Sequence, residues 1–294
     1  SVGLFGALSS DGKIKDVTIA DSYFHEEYYA GGICGYSSGE ITNCHNYGSV
    51  RGYNSIGGIC GLNLGTISDC HNAGKVSDAS YNLGGICGTS GGDITNCYNT
   101  GALSASYNVG GILGYRDGGK IRNCFNIGTV ACDNNGVGAI CGHDQPSVTS
   151  TDPSYINCYY DNEVFTGIAV DLNKSVVKNV LGKTSDKFAN GEVAYLLNNG
   201  ESPAVWGQEI GVDKLPVLGG MQVYATTGCV TYSNDPANVG AKGHDFSKGN
   251  GICDDCGAYI PAEADEDGIY QISSVTDLYW FAQQVNGGNT SIKA

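Results

Sequence analysis

Four residues near the C-terminal end, Cys229, His244, Cys253 and Cys256, fall within 28 positions, the last two in the knuckle Cys253-Asp254-Asp255-Cys256-Gly257. Three thiolates and one imidazole make a closed structural zinc set, and such a site can fold a segment that has almost no core. A Cys253–Cys256 disulfide, or free thiols in a linker, are the competing readings of the same residues. Four protein ligands leave no open coordination position, so a zinc bound there would be structural rather than catalytic.

Other residues that could carry chemistry are arranged less favourably for it. A zinc peptidase needs His-Glu-x-x-His, and His25-Glu26-Glu27-Tyr28-Tyr29 lacks the second histidine. Gly35-Tyr36-Ser37-Ser38-Gly39 and Gly88-Thr89-Ser90-Gly91-Gly92 spell Gly-x-Ser-x-Gly but lie inside short β-type phrases with no helix after them, so no nucleophile elbow is evident, and the glycine-rich phrases lack the lysine and helix of a phosphate-binding loop. Glu40 and Asp93 share a comparable turn position with Thr66 between them. Two strand spacings of about 4.8 Å would set these carboxylates near the separation used by inverting glycosidases. Acidic turn residues beside glycine are the plainer explanation. His45 and His71 stand where Tyr98 and Phe125 follow, which reads as an aromatic ladder rather than a metal pair. The pairs Tyr53-Asn54, Tyr81-Asn82 and Tyr107-Asn108 also recur, with Tyr28 and Tyr29 one unit earlier. Planar rings with amides beside them can line a groove for a glycan or a peptide; alternatively, each tyrosine covers the corner of its own unit.

What must position these residues is a repeat. Gly-[Gly/Ala]-Ile-[Cys/Leu]-Gly occurs five times between Gly31 and Gly142, and Ile-x-[Asn/Asp]-Cys-x-Asn-x-Gly follows each of the first four. Ile33, Ile59, Ile86, Ile112 and Ile140 are 26, 27, 26 and 28 residues apart. A fixed period of this size marks a solenoid, whose units bury a core only by stacking. A degenerate unit precedes the clear ones and another ends at Cys158, which predicts about six coils. Apolar runs of three to five residues between turn residues predict short strands, hence a parallel β-solenoid about 29 Å long, with right-handed crossovers as the usual chirality. In each unit an isoleucine and a cysteine three positions apart must both face inward. The Asn/Asp column at 43, 69, 96, 123 and 157 is therefore expected to bend through left-handed backbone. Whether Ile33 or Cys34 points inward is not fixed by the pattern.

Ten of the 13 cysteines fall in the solenoid, eight of them in two columns: Cys34, Cys60, Cys87 and Cys141, and Cys44, Cys70, Cys97 and Cys124. Leu113 interrupts the first column, so the position needs an apolar filler rather than a bond. Side-by-side Cβ vectors on stacked strands also suit a disulfide poorly. Buried free thiols are expected, with Cys158 continuing the second column. Cys132 stands outside both.

With 46 Gly, six Pro and 19 Tyr among 294 residues, the composition is turn-rich and β-like. Fifteen Lys and Arg against 30 Asp and Glu give a net charge of −15, which disfavours nucleic acid and anionic lipid as partners. No apolar run is long enough to span a bilayer. The chain opens within a repeat and stops at Ile292-Lys293-Ala294, and is read as part of a longer polypeptide.

The phrases Gly-Gly-Ile-Cys-Gly and Gly-x-Ile-Thr-Asn-Cys-x-Asn-x-Gly resemble the GLUG motif of bacterial surface proteins. Cysteine here often replaces the second aliphatic residue of that family's pattern. Phe188 to Asn198, Val205-Trp206-Gly207-Gln208, Leu215-Pro216-Val217-Leu218 and Val223-Tyr224 also resemble what commonly follows such arrays. The resemblance implies a secreted or wall-attached protein. It also implies a non-catalytic role, because GLUG repeats accompany immunoglobulin A-specific zinc metallopeptidases as non-catalytic parts. The Gly-x-Cys-x-x-Cys-Gly form after a histidine resembles small modules of Gram-positive surface proteins.

The expected organisation is mainly β: a solenoid over 1–165, a small α+β cap over 166–228, a Cys/His module or linker over 229–262, and a strand-helix start of a further repeat domain over 263–294. Ser185 is expected to cap a short helix bearing Val193, Leu196 and Leu197, and the cap to cover the strand edges of the last coil. Ser274 is expected to cap a second helix, with Asp277 three residues on. The function expected is a stalk or adhesin module that binds a host glycan or protein. The alternative is a glycan-cleaving β-helix, or an accessory region of a surface peptidase.

Overall fold

The computed structural model describes residues 1–145, 152–171, 175–199, 204–225, 232–236, 262, 264, 265 and 268–286. Residues 1–221 form one compact unit and 222–294 a second.

The first unit is a parallel β-solenoid of about six coils. One sheet stacks Phe5–Leu8, Cys34–Ser37, Cys60–Asn63, Cys87–Ser90, Leu113–Arg116 and Cys141–Asp144. Another stacks Tyr23–Gly31, Ser49–Gly57, Val76–Gly84, Leu103–Gly110 and Val130–Cys132. The largest sheet has two arms, one through the isoleucine column and one through the aromatic column. The long strand Pro153–Asp161 pairs with both arms, and Val176–Lys183 lies in parallel register beside it.

Each coil turns between the two arms at the Asx position. Asn43, Asp69, Asn96, Asn123 and Asn157 all have φ between 50° and 54°, the left-handed region that Asn and Asp tolerate. Asp16 and Asn179 extend the column with φ of 58° and 54°. The bend lets the isoleucine and the cysteine on either side both enter one core: Ile41, Ile67, Ile94, Cys44, Cys70 and Cys97 are all essentially unexposed. Ile33 and Cys34 are both buried as well, so the choice between them posed by the pattern does not arise. The Gly-Gly pair ahead of them has a steric cause. A Cβ on Gly58 would collide with the carbonyl oxygen of Gly85 and the side-chain amide of Asn72.

The cysteine columns lie in register, Cys34 beside Cys60 and Cys60 beside Cys87, with Leu113 between Cys87 and Cys141. The ten described cysteines are all free, and nine of them are buried. Burial pushes the Cys60, Cys97 and Cys158 thiols well up, and Cys141 up to about 12. Because reaction requires access as well as thiolate, the nine buried thiols should resist a thiol reagent in the folded protein. These nine and Cys132 should all react after denaturation under non-reducing conditions. Fast labelling of the folded protein beyond the four cysteines outside this buried set would overturn the account.

A second asparagine column, absent from the expectations above, forms the other corner. Asn46, Asn72, Asn99 and Asn126 are buried, and the Nδ2 of each of the first three donates to the next Oδ1 at 2.8 Å. Each also donates to the carbonyl two residues on, in Gly48, Gly74, Gly101 and Gly128. A third corner column, Ser37, Asn63 and Ser90, ends in a buried ion pair between Arg116 and Asp144 at 2.9 Å. Tyr155 donates to the same carboxylate oxygen at 2.8 Å.

After the coils come two short helices, Ser185–Ala189 and Glu192–Asn198, rather than one. The first is preceded by Thr184 at its N-cap, while the Ser185 hydroxyl bonds Asp161 instead. Asn199 ends the second in left-handed conformation. These helices and Trp206 pack on the flank of the solenoid, against Phe125 and Tyr159, and Glu192 of the second helix pairs with Lys183 of the last parallel strand. Asn198 fixes Trp206 by accepting from its backbone N–H and donating to its carbonyl.

In the second unit, Tyr224–Ala225 and Tyr232–Ser233 pair antiparallel. The helix Val275–Asn286 opens with a capping box in which Ser274 N donates to Asp277 and Asp277 N donates to the Ser274 hydroxyl. The Ser274 hydrogen bond holds the Asp277 carboxyl below the usual range.

Candidate functional site

The tyrosines lie on the outer face of the sheet that stacks Tyr23–Gly31 to Leu103–Gly110. Tyr28, Tyr53 and Tyr81 remain more than 40% exposed although they sit on a rigid ladder. Their register differs from the spacing of the Tyr-Asn pairs. Asn54, not Tyr53, stands opposite Tyr28 and Tyr81, and Tyr81 stands opposite Tyr107. The pairs Tyr53-Asn54 and Tyr81-Asn82 are 28 residues apart in sequence. Asp78, with φ of 65°, is an extra residue in its strand, where the register shifts; the offset between the two strands rises from 26 at Arg51–Ser77 to 27 at Asn54–Tyr81, one short of the spacing of the tyrosines.

The rings nonetheless meet. Tyr53 lies edge-on to Tyr28 at 6.2 Å and to Tyr81 at 6.4 Å, while Tyr81 and Tyr107 stack at 5.2 Å with 13° between planes. Behind them Asn108 donates to Asn82 at 2.8 Å, and Asn82 to Asn54 at 3.5 Å. The stacked pair occupies part of each other's faces, so the column offers ring edges and hydroxyls together with the Tyr53 ring. This surface suits polar recognition over a fixed span.

The carboxylate pair is placed as its spacing suggested, with Glu40 and Asp93 on either side of Thr66. Glu40 is not poised to give a proton. The Lys13 ammonium, 2.7 Å away, holds the Glu40 carboxyl below its usual range, whereas a general acid requires the opposite shift. Asp93 accepts from the Lys120 backbone N–H at 2.8 Å. These contacts read as ion pairs and turn bonds between coils.

The column His45, His71, Tyr98, Phe125 and Tyr159 is continuous in register. His71 stacks on Tyr98 at 4.0 Å, and Trp206 meets Tyr98 and Phe125 at 5.7 and 5.3 Å. The histidines thus continue the aromatic column on which Trp206 packs. Among the described residues no group of three or more His, Cys, Asp or Glu is placed to hold a metal. The set Cys229, His244, Cys253 and Cys256 lies outside the described residues.

Residues 79–104 match the family model of the GLUG motif. The repeat carries the GLUG motif. This segment runs from the tyrosine-bearing strand of one coil through the Asx bend at Asn96 into the next coil. The GLUG solenoid is also similar to a solved structure from Bacteroides ovatus, provisionally named an immunoglobulin A1 protease. That match has a TM-score of 0.52 and 25% identity, covering 73% of this chain and 70% of that one. No curated protein sequence matches the chain. The fold and motif describe a surface-type or peptidase-associated β-helix. No helix among the described residues is long and apolar enough to cross a membrane.

Proposed function

We propose that this chain is a non-catalytic, extracellular module of a bacterial surface protein, and that the Tyr28, Tyr53, Tyr81 and Tyr107 column binds a host glycan or protein. The observation that carries this reading is the exposure of large aromatic side chains on an in-register sheet. The sheet holds them without the ordering cost of a loop, and preorganised contacts of this kind favour binding. The likeness to the protease-named structure supports a related role, in which the solenoid is an accessory part of a polypeptide whose peptidase lies elsewhere. The ion-paired state of Glu40 weighs against the glycan-cleaving alternative.

The test is binding of the chain to immobilised mucin and to immunoglobulin A1. Tyr81→Ala with Tyr107→Ala should reduce binding at least about tenfold, equivalent to ~1.4 kcal/mol. The circular dichroism spectrum and unfolding midpoint should change little, because these rings lie outside the core. Undiminished binding by the double variant would refute the assignment.

A further inference from the structure

A different face of the solenoid holds an open groove of about 560 Å³, with the Asx bend column on one side and the segment carrying Val205 and Leu218 on the other. We propose that this groove is a second ligand site, for a neutral, extended β-linked glycan. The proposal does not rest on the tyrosine column.

Its floor is periodic. Asp16, Asn43, Asp69 and Asn96 come from four successive coils and present polar side chains at a step of about 4.8 Å. A flat β-linked glycan also advances along its axis by nearly one such step per sugar, so each residue can meet an equivalent polar group. The left-handed bends fix where these side chains stand. The ladder also leaves hydrogen-bonding capacity. Asn43 donates to Asp16 Oδ1 at 2.7 Å and Asn96 to Asp69 Oδ1 at 3.0 Å, so within the ladder each aspartate uses only Oδ1. The two Oδ2 atoms are acceptors for sugar hydroxyls.

The opposite wall is apolar. Val205 is 39% exposed, and Leu218 is half-buried beside it. One polar wall and one apolar wall match the two sides of a pyranose ring, whose hydroxyls lie equatorially and whose C–H groups form its faces. Charge selects among glycans. Two aspartates outnumber the one lysine of the lining, Lys15, and on a chain of net charge −15 they disfavour uronates and sulfated sugars.

The experiment is an NMR titration of the whole chain with cellotetraose, using maltotetraose, an α-linked chain that curves, as the control. Cellotetraose should bind, and maltotetraose should bind at least about tenfold more weakly. Val205→Asp places a charge on the apolar wall. It leaves intact the backbone N–H that Asn198 holds, and it should weaken cellotetraose binding by about tenfold or more. Asp16→Asn with Asp69→Asn keeps residues that tolerate the bend, and should weaken binding severalfold while the unfolding midpoint stays close to that of the parent. The proposal is overturned if cellotetraose does not bind, if the two tetrasaccharides bind alike, or if Val205→Asp binds as well as the parent. Loss of cellotetraose binding in Tyr81→Ala with Tyr107→Ala, with Val205→Asp unaffected, would move the site to the tyrosine column.

Discussion

Asn72→Ala is expected to destabilise the solenoid by about 3–5 kcal/mol, the sum of three interrupted buried hydrogen bonds at about 1–1.5 kcal/mol each. Asn72 accepts from Asn46 and donates to Asn99 and to the Gly74 carbonyl, all within 2.9 Å and with no solvent to replace them. The loss falls between neighbouring coils, so it should lower cooperativity as well as the midpoint, because coils are held chiefly by their neighbours. Asn43→Gly is the matched control. Asn43 is exposed, has φ of 50°, and makes only exposed side-chain bonds, to Asp16 and His45. Glycine accepts that backbone, so the change should cost only about 1 kcal/mol. Urea denaturation of the two variants tests the contrast, and equal destabilisation would contradict the division of roles between the two asparagine columns.

The second large effect is a pH dependence centred on His71. This ring is 7% exposed, stacks on Tyr98, and has an Nδ1 with no hydrogen-bond partner. Burial, with a smaller contribution from His45, lowers its pKa to about 4. In the unfolded chain the same imidazole titrates near ~6.5. Between these values the unfolded state binds a proton that the folded state refuses, so stability falls as pH drops from about 6.5 to about 4 and then levels for this group. The difference of about 2.5 pKa units corresponds to roughly 3 kcal/mol. The groups facing the ring are His45, Tyr47, Tyr98 and the Thr100 hydroxyl, none of them an anion that would retain the proton. His71→Phe keeps an aromatic ring in the column, as Phe125 does two coils on, and should flatten the stability profile over this range relative to the parent. An unchanged difference between pH 7 and pH 4.5 in the variant would show that other groups carry the dependence.

Much of this molecule was legible in the order of its residues because a solenoid repeats its local rules. Two inward-facing residues on either side of Asn43 required a bend, and asparagine and aspartate are the residues that permit one. The exchange of cysteine for Leu113 in one coil already argued for packing rather than bonding. Other features were not legible in this way. Asn46 and Asn43 belong to the same phrase and are the same residue type, yet one is buried in a ladder and the other is exposed. That distinction depends on which way the chain has turned after the bend. The signal that could have found it was the invariance of asparagine at 46, 72, 99 and 126, where the bend column accepts aspartate as well.

The sites divide along the same line. The sequence by itself determined the parallel stacking, the coil count, the left-handed bends and the aromatic column through His45, His71, Tyr98 and Phe125, since each follows from period and residue type. Tertiary structure alone decided that Asp78 is an extra residue, and that Asn54 rather than Tyr53 faces Tyr81. It also decided that the helices after the coils lie along the solenoid flank, over the aromatic column. A strand pattern fixes which side chains share a face, but the match between coils of 26 and 27 residues is settled only when backbone hydrogen bonds form between them. The seat of the helices is likewise set by burial of Trp206 and Phe188 against rings contributed by distant coils. No local pattern encodes that contact, and it is the contact that creates the groove beside the Asx column.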